Sequence, residues 1–385
     1  MRTFLKCQLQ PTMHRRYSSI AHTIVQVFAS RGAEPIEVPT VQPADPFLDV
    51  MGEQQHGCLF LTESENQEAL CLRPEFTIPV CLEHIRCEVT NPRRYVYFDK
   101  SFRKRPPSRN GLLQAGLVDL GDPDVPTADA RSITDAYTLL QLTVSRRELV
   151  TVIGDQEIFE AVLSALQLPR RWQKRLIRGS GLHLRHGAPR ADVGQPLPAK
   201  NLDAVVKGFL TRADCTAITA YVTNLMTHGG FSRVAGRTPS EIATRLIEST
   251  ELSSTRVSQS TFDALNSFLS IRSPLDRAVD EITKFAGSAG LTLGIALDNF
   301  VRRAEVLERE GVPLGQLTYD ASFSRRLDHH TGLLFEIRAP ESDRPLASGG
   351  RYDRLPALLG ADRHIPAIGL SVFVDEIELP QGTLT

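Results

Sequence analysis

A chain of 385 residues, 41% of them hydrophobic, is long enough for two globular units at roughly 100–200 residues per domain. Its formal net charge of −1 gives no global attraction to a nucleic-acid backbone, and no apolar stretch approaches the roughly 20 residues of a membrane-spanning helix. Six cysteines with no C-x-x-C pair and no histidine at metal-ligand spacing argue against zinc and for reduced thiols. The opening MRTFLKCQLQ lacks the apolar run of a signal peptide, so the sequence predicts a soluble, cytoplasmic protein with no metal and no cofactor.

Met13 to Arg31 is the first periodic segment: Ile20, Ile24, Val27 and Phe28 recur at helical spacing, and Gly32 stands where a left-handed cap would close the helix. Glu34 to Val38 reads as a strand ended by Pro39. CLFLT (58–62) and ALCLRP (69–74) read as a hairpin around an acidic turn. Thr77 to Arg86 is helical by pattern, RRYVYFDKSFR (93–103) alternates as a half-buried strand does, and the basic RKRPPSRNG loop leads into a second strand, LLQAGLVDLG. Helical spacing returns over Asp129 to Leu149, followed by the compact strand LVTVIGD (149–155). From 156 to about 312 helical runs dominate, among them Phe159–Leu168, Asp203–Leu210, Ser240–Leu246 and Leu297–Glu310, and strand alternation is scarce. Strands resume at LGQLTYDASF (314–323), LLFEIRA (333–339) and IPAIGLSVF (365–373). The expectation is an α+β fold with a discontinuous core, 1–155 and 313–385, around a mainly helical insertion, 156–312.

Several polar residues stand where chemistry is possible, although each has an ordinary alternative. Glu75 follows a strand that ends at a proline and could face a cleft, but turn acids are mostly solvated. Arg103, Lys104, Arg105 and Arg109 cluster between two strands, where a guanidinium could clamp a carboxylate or phosphate or simply decorate a hairpin tip. His329 and His330 are adjacent, so on a strand they point to opposite faces and cannot form a two-histidine metal face. In SGGRYDRL (348–355) two glycines permit close backbone approach to a ligand, without the G-x-G-x-x-G spacing of a dinucleotide loop.

The order of these pieces is more specific than any one of them. CLRPEFT, then FRKRPP with LLQAGLVDLG, then SRRLDHHTGLLFE with SGGRYDRL, then PAIGLSVFVDE resembles the catalytic core of the histidyl-tRNA synthetases and their paralogues, the regulatory subunits of ATP phosphoribosyltransferase. The resemblance covers about residues 10–155 and 314–377. It implies a class II aminoacyl-tRNA synthetase-like core, a mostly antiparallel sheet flanked by helices. It also places Glu75, Arg103, Gln114, Arg325, Asp328, His330 and Tyr352 around a histidine pocket, with His329 turned away: carboxylate for ammonium, guanidinium for carboxylate, neutral groups for the imidazole.

Departures from the synthetase pattern separate the two branches. Leu112 stands where an aromatic ring stacks on adenine, and Glu376 where an arginine covers adenine and the triphosphate; a carboxylate there repels phosphate. Val118 stands where the family has a glutamate, and Arg326 replaces a glycine. The chain ends a few residues after the last motif, where the synthetase continues into its anticodon-binding domain, so no tRNA partner is expected. The resemblance therefore implies a noncatalytic regulatory subunit that activates the short catalytic ATP phosphoribosyltransferase and mediates histidine feedback in the first step of histidine biosynthesis. The expected assembly is a hetero-oligomer containing homodimers of this chain. The alternatives are a histidyl-tRNA synthetase-like enzyme and another amino-acid-binding synthetase paralogue, either of which would need the nucleotide clamp intact.

Overall fold

The computed structural model describes residues 19–51, 57–104, 111–144, 148–179, 258–323, 330–340 and 342–377, together with 208–210, 212, 214–228, 238–240, 242–244 and 246–247. Helix α1 (Ser19–Ser30) fully buries Ala21, Ile24 and Phe28, the stripe its spacing implies, and is followed by Gly32 at a φ of 84°. Residues 13–18 of the expected helix lie outside the described residues. Next come β1 (Glu34–Pro35), β2 (Val41–Pro43) and α2 (Asp45–Val50). Strands β3 (Leu61–Glu63) and β4 (Ala69–Leu72) form the expected hairpin and, with β2, a small sheet in the order β2-β4-β3.

The chain continues through α3 (Thr77–Arg86), β5 (Arg93–Phe102), β6 (Gly111–Leu120) and α4 (Val125–Thr143). α4 begins at Val125 rather than Asp129 because Pro126, in the first turn, has no N–H to leave unsatisfied and a φ that suits a helix start. Strand β7 (Val150–Asp155) passes directly into α5 (Gln156–Ala165), which Asp155 caps by accepting the Ile158 N–H at 3.0 Å. Then follow α6 (Arg170–Gly179), α7 (Cys215–His228), α8 (Gln259–Leu269), β8 (Arg272–Pro274), α9 (Leu275–Ala289) and α10 (Ile295–Arg309). Strands β9 (Leu317–Asp320), β10 (Leu333–Arg338) and β11 (Pro345–Arg351), the single turn α11 (Leu355–Leu358), β12 (Ala367–Phe373) and the short α12 (Val374–Ile377) complete the order.

Among the described residues nine strands make one sheet in the order β1-β5-β6-β12-β11-β10-β7-β9-β8. The run from β5 to β7 is antiparallel throughout, and the β1–β5 and β7–β9 pairs are parallel. Alternation along β6 shows how this sheet serves two cores. Ala115 and Leu117 face a large cluster with α1, α4, α9 and α10, whereas Val118 and Leu120 face a second cluster with Phe47, Phe76, Ile78, Tyr95, Tyr97 and Tyr352.

Within the stretch read from the sequence as an insertion, packing is of two kinds. Leu210, Ile218, Val222 and Ala243 form a small cluster of their own. Phe268, Ile282, Phe285, Phe300 and Leu307 instead belong to the large cluster beneath the sheet, and β8 pairs with β9 at the sheet edge. Helical periodicity reveals that α9 and α10 have a buried side but not that the sheet covers it.

Candidate functional site

The face of the sheet toward the second cluster is built from small and polar residues. Register places Gln114, Gly116 and Val118 of β6 beside Phe373, Ser371 and Gly369 of β12, and Ser348 and Gly350 of β11 beside Ser371 and Gly369. Rings occupy the space that side chains at the glycines would fill. A Cβ on Gly116 would stand 2.3 Å from the Tyr97 hydroxyl oxygen, one on Gly369 2.6 Å from that of Tyr352, and one on Gly350 3.0 Å from Cε1 of His330. Glycine therefore lets Tyr97, Tyr352 and His330 lie directly against the sheet. The Tyr97 hydroxyl also lies 2.8 Å from Ser371 Oγ, and its ring stacks on Phe76 with centroids 4.1 Å apart.

Glu75 is brought to this floor by the turn after β4. Arg73, fully buried, fixes that turn: it donates to the Val38 carbonyl, to Asp99 at 2.7 Å and to the Lys100 carbonyl at 2.9 Å, and its guanidinium lies 4.3 Å from the Phe76 ring centre. The Glu75 carboxylate accepts the Thr77 and Ile78 N–H groups at 2.6 and 2.8 Å, at the N-terminus of α3. Burial raises its pKa, although these hydrogen bonds and the nearby Arg103 charge act in the opposite sense. Its negative charge reaches Tyr97 and Tyr352, where it adds to burial in pushing both phenols upward. Arg103 donates from Nε to the Pro74 carbonyl at 2.8 Å, which ties the end of β5 to the Glu75 turn.

Gln114 is buried on the same face, paired with Asp99 and Phe373. His330 Nδ1 lies 3.3 Å from the Arg351 carbonyl oxygen; a carbonyl has no proton to give, so Nδ1 carries the hydrogen and, in the neutral ring, Nε2 is an acceptor. Glu75 and Arg103 thus meet at the turn after β4, while Gln114, His330 and Tyr352 lie along the second-cluster face of the sheet. Arg325 and Asp328 lie outside the described residues, as do Arg105, Arg109, Arg326 and His329. Sequence reasoning missed Tyr97, Ser371 and Arg73. Strand geometry puts Tyr97 on the same face as Tyr95, but a tyrosine in an alternating strand carries no mark of a site residue.

The strand ends where the synthetase pattern places the nucleotide clamp carry two carboxylates and Arg344. Leu112 is half-buried on β6. The neighbouring Leu113 N–H donates to Asp375 at 3.0 Å, and the Glu376 carboxylate accepts Arg344 Nη1 at 3.0 Å. Glu376 is thus already paired with a cation, and neither it nor Leu112 offers a triphosphate a positive contact. Val118 is buried between Tyr95 and Gly369, and Asp119 is on the opposite face, bound by Arg94 and Arg131. A crevice of ≈ 360 Å³ beside this ion-pair group includes Glu34, Arg93, Arg94, Asp119, Asp122 and Arg131, whose charges pair with one another. Among the described residues no group of three or more His, Cys, Asp or Glu is placed to hold a metal ion, and no helix is long and apolar enough to cross a membrane.

Comparison with known proteins identifies the family and the fold. The family model described as histidyl-tRNA synthetase matches residues 7–179 and 244–377. The chain is 48% identical over 366 residues to an ATP phosphoribosyltransferase regulatory subunit of Mesorhizobium japonicum, covering 95% of this chain and 98% of that one. It is 44% identical over 363 residues to a protein of the same name from Agrobacterium fabrum, covering 94% and 97%. Among solved structures, an ATP phosphoribosyltransferase regulatory subunit/histidyl-tRNA synthetase from Bacillus halodurans superposes with a TM-score of 0.65 at 19% identity, covering 98% of this chain and 83% of that one. A histidyl-tRNA synthetase from a Nostoc species gives 0.62 at 16% identity, covering 93% and 69%. At those identities the two structures establish the fold alone.

Proposed function

The chain belongs to the ATP phosphoribosyltransferase regulatory subunits of the histidyl-tRNA synthetase family, and from that premise we infer that it works as a noncatalytic partner of the phosphoribosyltransferase catalytic subunit in histidine biosynthesis. The observation that carries this reading is the near end-to-end match, at 48% identity, to a protein of that name. Leu112 and Glu376 support it, since neither can take over the stacking and charge contacts that nucleotide activation requires.

On this reading the partner is the short catalytic form, the assembly contains homodimers of this chain, and the complex resides in the cytoplasm. The domain division is a core of 1–155 and 313–385 with a mainly helical 156–312, part of which packs on the core. Histidine is the effector and occupies the pocket of Glu75, Arg103, Gln114, His330 and Tyr352, with Arg325 and Asp328 completing it. Glu75 takes the ammonium, an arginine the carboxylate, and neutral groups the imidazole. Feedback then requires histidine to bind the active and inactive arrangements of the assembly unequally, because only differential affinity moves an equilibrium.

The test is association. The two chains, mixed at micromolar concentration and separated by size, should elute together at moderate salt, since a stable interface buries more than about 1,000 Å² with an apolar centre. Separate elution would overturn the reading.

A further inference from the structure

This inference rests on the pocket reading above. Two pocket residues, His330 and Tyr352, flank the strand end at Arg351. The backbone carbonyl of Arg351 accepts the Thr331 N–H at 2.9 Å and the His330 Nδ1–H at 3.3 Å, while the Tyr352 N–H donates to the Ala367 carbonyl at 2.7 Å. The Arg351 side chain leaves toward the opposite face of the sheet. There Nε donates to Asp129 at 2.7 Å and Nη1 to Asp353 at 2.8 Å. The other Asp129 oxygen accepts Arg303 Nε at 3.1 Å, and Arg303 Nη1 donates to Asp155 at 2.6 Å.

The result is a row of alternating charges, Asp353, Arg351, Asp129, Arg303 and Asp155. It joins the pocket wall to α4, to α10 and to the cap of α5. The side chains of the four from Arg351 to Asp155 are at most 3% exposed. A buried charge cannot leave its partner without a penalty far above thermal energy, so the members move together or not at all. Nη2 of Arg303 is buried without a hydrogen-bond partner among the described residues.

We propose that Arg351 is the positioning residue of the amino-acid pocket, and that through Asp129 it makes Arg303, on the far side of the sheet, a determinant of the pocket's affinity. By the same links, pocket occupancy is felt at α10, because coupling between two sites is reciprocal. Arg303 touches no ligand; it acts through the geometry that Arg351 imposes on His330 and Tyr352.

The test uses the full-length chain with its catalytic subunit and L-histidine as the probe, measured by calorimetry and by amide hydrogen exchange over residues 295–309. Arg303→Lys keeps the charge but loses the planar fork, and Asp129→Asn keeps the shape but loses the charge. Both should weaken histidine binding at least tenfold, whereas Arg302→Ala, its exposed neighbour on α10, should stay within twofold. Histidine should slow exchange over 295–309 in the natural protein and fail to do so in Asp129→Asn, a response that a merely structural role would not produce. Unchanged affinity in the folded Lys and Asn variants overturns the proposal. If neither variant folds, the natural protein decides: exchange over 295–309 that ignores histidine overturns it. Gln114→Ala separates the two readings. If it weakens binding while the relay variants do not, only the relay fails; if it leaves affinity unchanged, or if histidine does not bind at all, the pocket reading fails and the relay with it.

Discussion

Gly116→Ala is the substitution that the pocket floor should tolerate least. The new methyl would sit 2.2 Å from the Leu370 carbonyl oxygen and 2.3 Å from the Tyr97 hydroxyl. Both distances are roughly 1 Å or more inside ordinary contact. The hydroxyl could swing aside, but the carbonyl belongs to the paired strand β12, and relief requires β6 and β12 to separate. Overpacking of this kind costs about 1–3 kcal/mol, and a rigid backbone obstacle places the expectation at the upper end. Gly287→Ala is the control: among the described residues nothing lies within 4 Å of its new methyl on α9, and removing a helical glycine should stabilise by about 0.5–1 kcal/mol. The two alanines should therefore differ by roughly 3–4 kcal/mol in urea unfolding, with opposite signs. Histidine affinity should fall in Gly116→Ala, because Tyr97 is displaced, and remain unchanged in Gly287→Ala. A Gly116→Ala protein as stable as the parent, binding histidine normally, would refute the account of this floor.

Other expectations follow from the same residues. The isolated chain should show no histidine-dependent exchange of pyrophosphate into ATP above a no-enzyme blank, because Leu112 and Glu376 stand at the clamp positions; clear exchange would restore a synthetase. Removing the charge of Glu75 as Glu75→Gln should cost histidine binding on the order of 2–5 kcal/mol by calorimetry, the scale for one charged contact to a buried ligand. Burial raises the Glu75 pKa, so the protonated form persists to higher pH than in an unfolded chain. Histidine affinity should accordingly fall on acidification before an ordinary glutamate would titrate, with this component absent in Glu75→Gln. As a stability term the raised acid works in the other sense, its contribution being present below the unfolded pKa and lost as pH rises through the folded one. His84 is depressed from 6.5 to about 4, first by burial and then by the Arg363 and Arg93 charges. It should hold stability that is present above pH 6.5 and lost progressively toward pH 4. The loss should be up to about 3 kcal/mol and be reduced in His84→Gln.

Much of the fold could be read from alternation. Residues 93–103 and LLQAGLVDLG declare themselves because each strand separates two unlike cores, and the observed β5 and β6 differ from the reading by at most about one residue at either end. Residues 275–309 were harder. Their helical periodicity shows a buried face in LDRAVDEITKFAGSA, yet nothing local says that Ile282 and Phe300 meet the sheet. The candidate site shows the same divide. Glu75, Gln114 and Tyr352 were singled out through short motifs whose spacing survives in the chain. Arg73, Arg303 and Arg351 were not, because an arginine in isolation looks like a solvated surface residue. What buries Arg351 is Asp129, a contact spanning 222 positions of sequence.

The most direct measurement of the central claim is the rate at which a short ATP phosphoribosyltransferase catalytic subunit forms phosphoribosyl-ATP, taken with and without this chain at fixed catalytic-subunit concentration. A rise in turnover that saturates as this chain is added, and is reversed by histidine, is the predicted result. A rate that is the same at every concentration of this chain would contradict the account.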